Sequence, residues 1–370
     1  MFLAACTNPT VGTSKGTEPA PSTPSSPPTV TQPIEQPANL PPTSSETPEI
    51  GRLRTAIAQY EQITASGGWP LVPPTESLRQ GDSSPLVPTL RARLAVEGDL
   101  AKPSQSPLFD ADLHTALIRF QHRTGLTEDG VLGRRTLTAL NIPAASRLSA
   151  LRQNLSRQLR EKRNWGDRYI AVNTAAATYR LVDNGAVLFE TRVIVGRPNW
   201  QTPRLDGTID RLVFNPTWSV PPHIAQSELM PRIRREPGYM RAHHMSLVDG
   251  MIQQAPGPDN PLGRYKFVFP NDESIYLHDT NAPSLFGQDE RHLSHGCVRL
   301  SNAEELARHL LKGQTGWDEL DIASAVATGK TATVRLDRPM PIHLVYDTAW
   351  VEPDDTVHFR NDIYDQDGNQ

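Results

Sequence analysis

Apolar residues recur at helical spacing where the polar-rich start of the chain gives way. In IGRLRTAIAQYEQI, Leu53, Ile57, Tyr60 and Ile63 fall on one face, which predicts a helix near residues 50–63. GGWPLVPP then breaks the pattern. Three shorter helical patterns follow between residues 79 and 143. PLVPTLRARLAVEGDL is the first. FDADLHTALIRFQHRTGL sets Leu113, Leu117 and Phe120 on one face behind Asp110 as an N-cap. TEDGVLGRRTLTALN adds a glycine-marked turn and a third helix, and residues 146–165 carry another amphipathic pattern. Beyond residue 166 the period falls to two. YIAVNTAAATYRLVDNGAVLFETRVIVG alternates apolar and polar positions, with Asp183-Asn184-Gly185 as a hairpin turn. Further strands are expected at 208–214 and 274–278, so 166–336 reads as an antiparallel β domain. PPHIAQSELMPRIRREPGYMRAHHMSLVDG interrupts it with helical character, and an insertion at about 222–262 suits a cap over a site. Residues 337–370 are expected to return as strands on the fold.

Composition changes the picture only before residue 49. Apolar residues make up 37% of the chain and there are 34 prolines. Residues 7–48 are rich in Pro, Thr, Ser and Glu, and such a segment cannot bury enough apolar surface to offset its ordering entropy. It reads as a tether with polyproline II character, reaching on the order of 100 Å at about 3.1 Å per residue. Ahead of it, Leu3-Ala4-Ala5-Cys6 resembles a bacterial lipobox, with Cys6 as the lipidated residue. Only five residues precede Cys6, so a natural start further upstream is expected. Thr7 after the cysteine favours an outer-membrane anchor in the periplasm by the same resemblance. Net charge is −4, and no basic patch interleaves with aromatics, which argues against a nucleic-acid partner. No apolar run reaches eighteen residues, so no membrane-spanning helix is predicted.

The candidate chemistry lies in SHGCVRL, residues 294–300. Cys297 is one of two cysteines, and a catalytic thiol needs a base or a cationic setting because the thiolate is the nucleophile. SIYLHDT offers His278 at the end of a predicted strand, which an antiparallel pairing would bring beside the sulfur. His295, two residues before Cys297, would point to the same face on an extended chain. Gly296 permits close approach of substrate or a neighbouring strand. Three other readings compete. The thiol could be inert packing, His278, His295 and Cys297 could bind zinc, although no C-x-x-C or H-E-x-x-H accompanies them, and the whole could be a non-catalytic wall-binding protein. His243-His244 and the RIRREP run read as solvated surface.

The H–x15–S-H-G-C-V-R spacing between His278 and Arg299 resembles the signature of the L,D-transpeptidase family, with its YkuD-type catalytic domain. Phe120-Gln121, Gly125-Leu126, Asp129-Gly130, Gly133 and Thr136-Leu137 resemble the peptidoglycan-binding-like three-helix domain. FNPTWSVPPHIA, YLHDT, SHGCVRLSNAEELA and VYDTAWV…FRNDIYD extend the likeness over roughly residues 50–370, most like the large periplasmic type. The resemblance implies an α+β fold. A helical scaffold (49–165) with the wall-binding-like unit at 79–143 would join a β-rich, sandwich-like catalytic domain (166–336) with a helical capping insertion. It implies that Cys297 attacks a stem tetrapeptide between diaminopimelate and D-alanine, that D-alanine leaves, and that a second stem's diaminopimelate amine resolves the thioester into a 3→3 cross-link. His278 would be the base, oriented by the Asp279 carbonyl. Amides at Gly296 and Cys297 would form the oxyanion hole, with His295 and Ser294 in support. Arg299 would hold the loop or a substrate carboxylate, and Tyr276 would line the pocket. No cofactor is implied, and carbapenem-type β-lactams are expected to acylate Cys297. Hydrolysis in place of cross-linking, and attachment of a lipoprotein to the wall, use the same site. The three-helix unit could also be a spacer without a ligand.

Overall fold

The computed structural model describes residues 47–368; the Cys6 motif and the tether up to residue 46 lie outside the described residues. Helix α1 (Pro48–Ala65) opens on a proline, whose missing N–H is one a first turn leaves unpaired anyway. It buries Leu53, Ala56, Ile57 and Tyr60, the face that the spacing predicts. Helices α2 (Val87–Val96), α3 (Ala111–Thr124) and α4 (Arg134–Leu140) close on Leu90, Leu94, Phe109, Leu113, Leu117 and Phe120. Asp110 caps α3 by accepting the Leu113 N–H at 3.0 Å, and Gly125 ends it at φ 71°. The buried Gln121 amide explains the Phe-Gln and Asp-Gly pairing. Its Nε2 donates to Asp129 Oδ1 at 2.7 Å and its Oε1 accepts the Gly130 N–H at 2.8 Å, fixing the turn before α4. Beneath the helices lies a buried ionic knot in which Arg123 meets Asp99 at 2.6 Å and Glu97 at 2.9 Å, and Arg93 meets Glu97 at 2.6 Å. Burying these charges is tolerable only because each is paired. Helix α5 (Ala144–Glu161) packs on α1 through Leu148 and Leu151.

Strands β1 (Tyr169–Asn173), β2 (Thr178–Asp183), β3 (Ala186–Gly196) and β4 (Leu205–Phe214) come next. Asn184 and Gly185, at φ 50° and 72°, make the tight turn between β2 and β3 that two positive φ values allow. The insertion then contributes β5 (Trp218–Ser219), helices α6 (Pro222–Ile224), α7 (Met230–Arg235) and α8 (Tyr239–Ala242), and the hairpin β6 (Met245–Val248) and β7 (Met251–Gln254). It is helical only in its first half; β5, β7 and β6 form a three-stranded sheet, and Val220, Ile224, Leu229 and Ile252 give the cap its own small core. After it come β8 (Tyr265–Val268), β9 (Leu277–His278), β10 (His292–Ser294), β11 (Val298–Leu300), helices α9 (Ala303–Leu311) and α10 (Glu319–Ala327), then β12 (Ala332–Val345), β13 (Ala349–Val351) and β14 (Val357–Phe359).

The nine-stranded sheet runs β10-β3-β11-β9-β8-β4-β12-β1-β2, and a further β2–β3 pairing ties its last strand to its second. Its strands thus wrap round on themselves and enclose the core between them, as the α+β, β-rich reading expects. It is also mixed, not antiparallel as the alternation suggested: β1 runs parallel to β12, β9 to β11 and β10 to β3. Period-two alternation reports which face a side chain takes but carries no strand direction. The enclosed core comprises Ile170, Val193, Phe267, Leu277, Val298 and Leu300 among others, with α9 packed on it through Leu306 and Leu310. Strand β12 carries the sheet on to Val345, past the expected boundary at 336. The β13–β14 hairpin instead completes the α1–α5 core with Ala349, Val351 and Phe359.

Candidate active site

Strand alternation divides the residues around the thiol. Phe267, Leu277, Val298 and Leu300 point into the core. Their neighbours Lys266, Tyr276, His278 and Arg299 take the other face. Register then decides what meets. Arg299 is level with His278 on one side, and Lys266 is level with it on the other. The Val298 N–H bonds the Tyr276 carbonyl at 3.1 Å, which sets Cys297 beside Tyr276. The parallel β9–β11 pairing, not the antiparallel pair that the sequence reading expected, thus brings the strand that ends at His278 beside the one that follows Cys297, with Tyr276 next to the sulfur and Arg299 next to the imidazole.

The thiol is free, partly buried and 4.0 Å from the Ser274 carbonyl. Burial pushes it up, while hydrogen bonds from the Tyr276 backbone and hydroxyl and the charges of Lys266 and Arg299 pull it down. The upward push prevails, so the resting sulfur is protonated. His278 is buried, and burial together with Arg299 and Lys266 pushes its pKa down to about 3. The carbonyls of Asp279 and Pro261 lean the other way, though His278 Nδ1 has no acceptor within hydrogen-bond geometry. The resting pair is neutral on both sides. Lys266 lies 3.8 Å from the Tyr276 ring centroid, and burial lowers its pKa. No carboxylate pairs with Lys266 or Arg299 among the described residues, and Arg299 Nε is buried without an acceptor.

The turn that presents Cys297 is held from within. The Ser294 hydroxyl donates to the Cys297 carbonyl at 2.6 Å and accepts the Gly296 N–H at 3.1 Å. Thr202 donates to the Gly296 carbonyl at 2.7 Å. Gly296 stands at φ 110°, a region costly for other residues, and a Cβ there would lie 3.2 Å from Ile275 Cδ1. Two expectations are corrected here. The Gly296 N–H already has an acceptor, so of the two amides expected in an oxyanion hole only that of Cys297 is unengaged among the described residues. And the chain is not extended through Gly296, so His295 parts from Cys297. It meets Glu228 of the cap at 2.7 Å, and Arg197 reaches the same carboxylate at 3.4 Å. Trp200 stacks on the cap's His223 with centroids 4.3 Å apart. A zinc set of His278, His295 and Cys297 is therefore not assembled, and no cluster of three or more His, Cys, Asp or Glu side chains is placed to hold a metal among the described residues.

Sequence reasoning missed Lys266, Glu228 and Trp200. Lys266 had one available cue, its place in an alternating strand twelve residues before His278. Glu228 and Trp200 had none, since their roles depend on where the cap lands.

The comparisons with known proteins agree with this geometry. Residues 167–332 match the model of the L,D-transpeptidase catalytic domain. Those residues are similar to an L,D-transpeptidase catalytic domain. Residues 83–140, the helical unit, match the model described as "Putative peptidoglycan binding domain". A Haemophilus influenzae protein named "Putative L,D-transpeptidase" is 33% identical over 219 residues, covering 54% of this chain and 44% of that protein. The chain thus matches less than half the length of that relative. Solved L,D-transpeptidases of Stackebrandtia nassauensis and Xylanimonas cellulosilytica are 14% and 16% identical, with TM-scores of 0.29 and 0.26. They cover 75% and 74% of this chain and 97% and 98% of their own; superpositions that slight carry no argument.

Proposed function

We propose that this L,D-transpeptidase domain forms 3→3 peptidoglycan cross-links through a Cys297 thioester. The observation that carries the reading is the parallel β9–β11 register, which sets Arg299 level with His278 and leaves Cys297 beside Tyr276. In this reading Cys297 Sγ attacks the carbonyl between diaminopimelate and D-alanine of a donor tetrapeptide. Its proton passes to His278 and on to the departing D-alanine amine, leaving a thioester. The side-chain amine of a second stem then attacks, gives up its proton through His278, and the thiol is regenerated. The Cys297 amide faces the developing oxyanion, and the Tyr276 hydroxyl, already on the sulfur, is the neighbouring donor.

The depressed pKa of His278 finds a use here. A base held neutral first by burial and then by two cations resists protonation, and an anion docked on those cations removes the second part of that resistance. A donor stem brings carboxylates, and their docking on Lys266 and Arg299 would relieve that repulsion and let His278 take the thiol proton. Acylation of Cys297 by carbapenem-type β-lactams follows from the same nucleophile. Anchoring in the periplasm through a lipid on Cys6 is part of the proposal and rests on the Leu3–Cys6 motif.

The test is mass spectrometry of the protein incubated with disaccharide-tetrapeptide, comparing it with Cys297→Ala. A cross-linked dimer with loss of D-alanine is expected from the unaltered protein alone. Tripeptide without dimer would replace the reading with a hydrolase, and neither adduct nor turnover would end it.

A further inference from the structure

The helical unit and the catalytic-domain sheet enclose a cleft of about 970 Å³, well within the size of ligand sites. Its walls come from the α3–α4 turn, the 287–292 loop, β3 and the β13–β14 hairpin. Most of the carboxylates lining it already have cationic partners, and Asp354 accepts the Thr356 N–H at 3.0 Å. Asp289 is taken by Arg135 at 2.7 Å, and Glu190 and Glu352 are both taken by Arg180, at 2.8 and 2.7 Å. Glu128 meets His122 at 2.9 Å, and Glu290 lies 3.8 Å from His292. Arg147, Arg192, Arg291 and Arg360 line the same cleft, and among the described residues none has a carboxylate within ion-pair distance.

These four guanidiniums make do with neutral neighbours. Arg147 lies 4.4 Å from the Phe359 ring and Arg360 lies 4.8 Å from Trp350. Arg291 donates to the carbonyls of Ala176, Ala177, Gln288 and Asp289, and its Nε is buried without an acceptor. Arg192 reaches the Phe286 carbonyl at 3.3 Å. Burial disfavours the charge on Arg291 and Arg360 most; Arg192 adds to it at Arg291 and Arg291 adds to it at Arg360, with Asp289 and Glu290 offsetting part of it at the first and Glu190 and Glu352 at the second. Such a group gains from an anion, and planar guanidiniums suit carboxylates, which they can grip with two parallel bonds. The volume far exceeds what a lone ion needs. The 287–291 loop also runs straight into β10, so His292 and Cys297 are five residues apart, at most about 18 Å.

We propose that this cleft binds the carboxylates of a further peptidoglycan stem peptide, holding the polymer while chemistry proceeds at Cys297. The choice of ligand rests on the transpeptidase reading above. Hydrogen–deuterium exchange of the full Cys297→Ala chain with disaccharide-tetrapeptide tests both at separate places. Slowed exchange over residues 286–292 and 357–361 reports the cleft, and over 276–278 and 294–299 the thiol site. We expect protection at both. At the cleft it should vanish when the peptide's carboxylates are amidated, and fall at least fivefold in apparent affinity with Arg192→Glu, an exposed substitution the fold tolerates. Arg291→Gln, checked for folding by its melting curve, should act in the same direction. Protection at the thiol site alone would overturn the cleft proposal and leave the transpeptidase reading standing; protection at the cleft alone would do the reverse. Equal protection by the amidated peptide, or by inorganic phosphate in its place, would also overturn a carboxylate site.

Discussion

At the sulfur, burial outweighs the Tyr276 hydrogen bonds and the cations Lys266 and Arg299 that oppose it, and Lys266 is the larger of the two cationic influences. It lies over the Tyr276 ring, 3.8 Å from its centroid, is felt by Cys297, and has no anionic partner among the described residues. Replacing it with methionine keeps the stem and removes the charge. The thiol pKa then rises further, because one of the two cations favouring thiolate is gone. Alkylation of Cys297 by iodoacetamide at pH 7.5 is expected to slow by about three- to tenfold, the effect of roughly half to one pKa unit. A rate–pH profile that overlays the unaltered protein would remove Lys266 from the site. The same substitution lifts one of the pressures on His278, so its imidazole titration should move up, readable by NMR.

At the scale of elements, the presenting turn depends on a second loop packed beneath it. Gly196 ends β3, and an added Cβ there would stand 1.9 Å from the Trp200 carbonyl oxygen, a backbone atom that cannot swing aside. Its N–H is held by Thr202 at 2.9 Å, and Thr202 in turn holds Gly296. Gly196→Ala is expected to destabilise the fold by about 2–4 kcal/mol in denaturant unfolding. A loss below about 0.5 kcal/mol would mean the loop yields freely. The cap meets this loop as well, through Glu228 on His295 and Arg197 and through His223 on Trp200. One short loop therefore joins β3, the cysteine turn and the cap.

Across the whole molecule, the C-terminal segment ties helix α5 to the site. Arg157 meets Asp367 at 2.6 Å with both side chains almost fully buried, and the Thr348 hydroxyl bonds the same carboxylate. Tyr364, a few residues earlier, donates to the Gly196 carbonyl. Asp367→Ala would leave Arg157 buried and unpaired, at a cost of about 3–5 kcal/mol. A melting temperature within a degree of the unaltered protein would show the segment to be dispensable. Acid should act on the molecule through its buried histidines. His278 and His358 are pushed down to about 3 and about 4, mainly by burial, below an ordinary value near 6.5. Each is neutral in the folded chain while the unfolded chain takes up a proton. Their contribution is intact above about pH 6.5 and is lost as pH falls toward those folded values, by up to about 1.4 kcal/mol per unit for each group. Unfolding at pH 7 and pH 5 checks this, and His278→Gln should flatten the slope.

Local pattern determined much of this protein. The faces of α1, α3 and α5 follow from spacing, because a helix buries whatever recurs at 3.6 residues. The β2–β3 turn follows from Asn184-Gly185, and His278 and Cys297 stand out as candidates from their flanking residues. Strand direction was not readable, since alternation is the same in parallel and antiparallel ladders, and so the register that faces Lys266 and Arg299 across His278 appears only in the sheet. The divergence of His295 needed the positive φ of Gly296, and the spent N–H of Gly296 needed the rotamer of Ser294. The cap's grip on His295 and the arginine-lined cleft join residues dozens to hundreds of positions apart. Such contacts are set by how whole elements pack, and no local pattern encodes them.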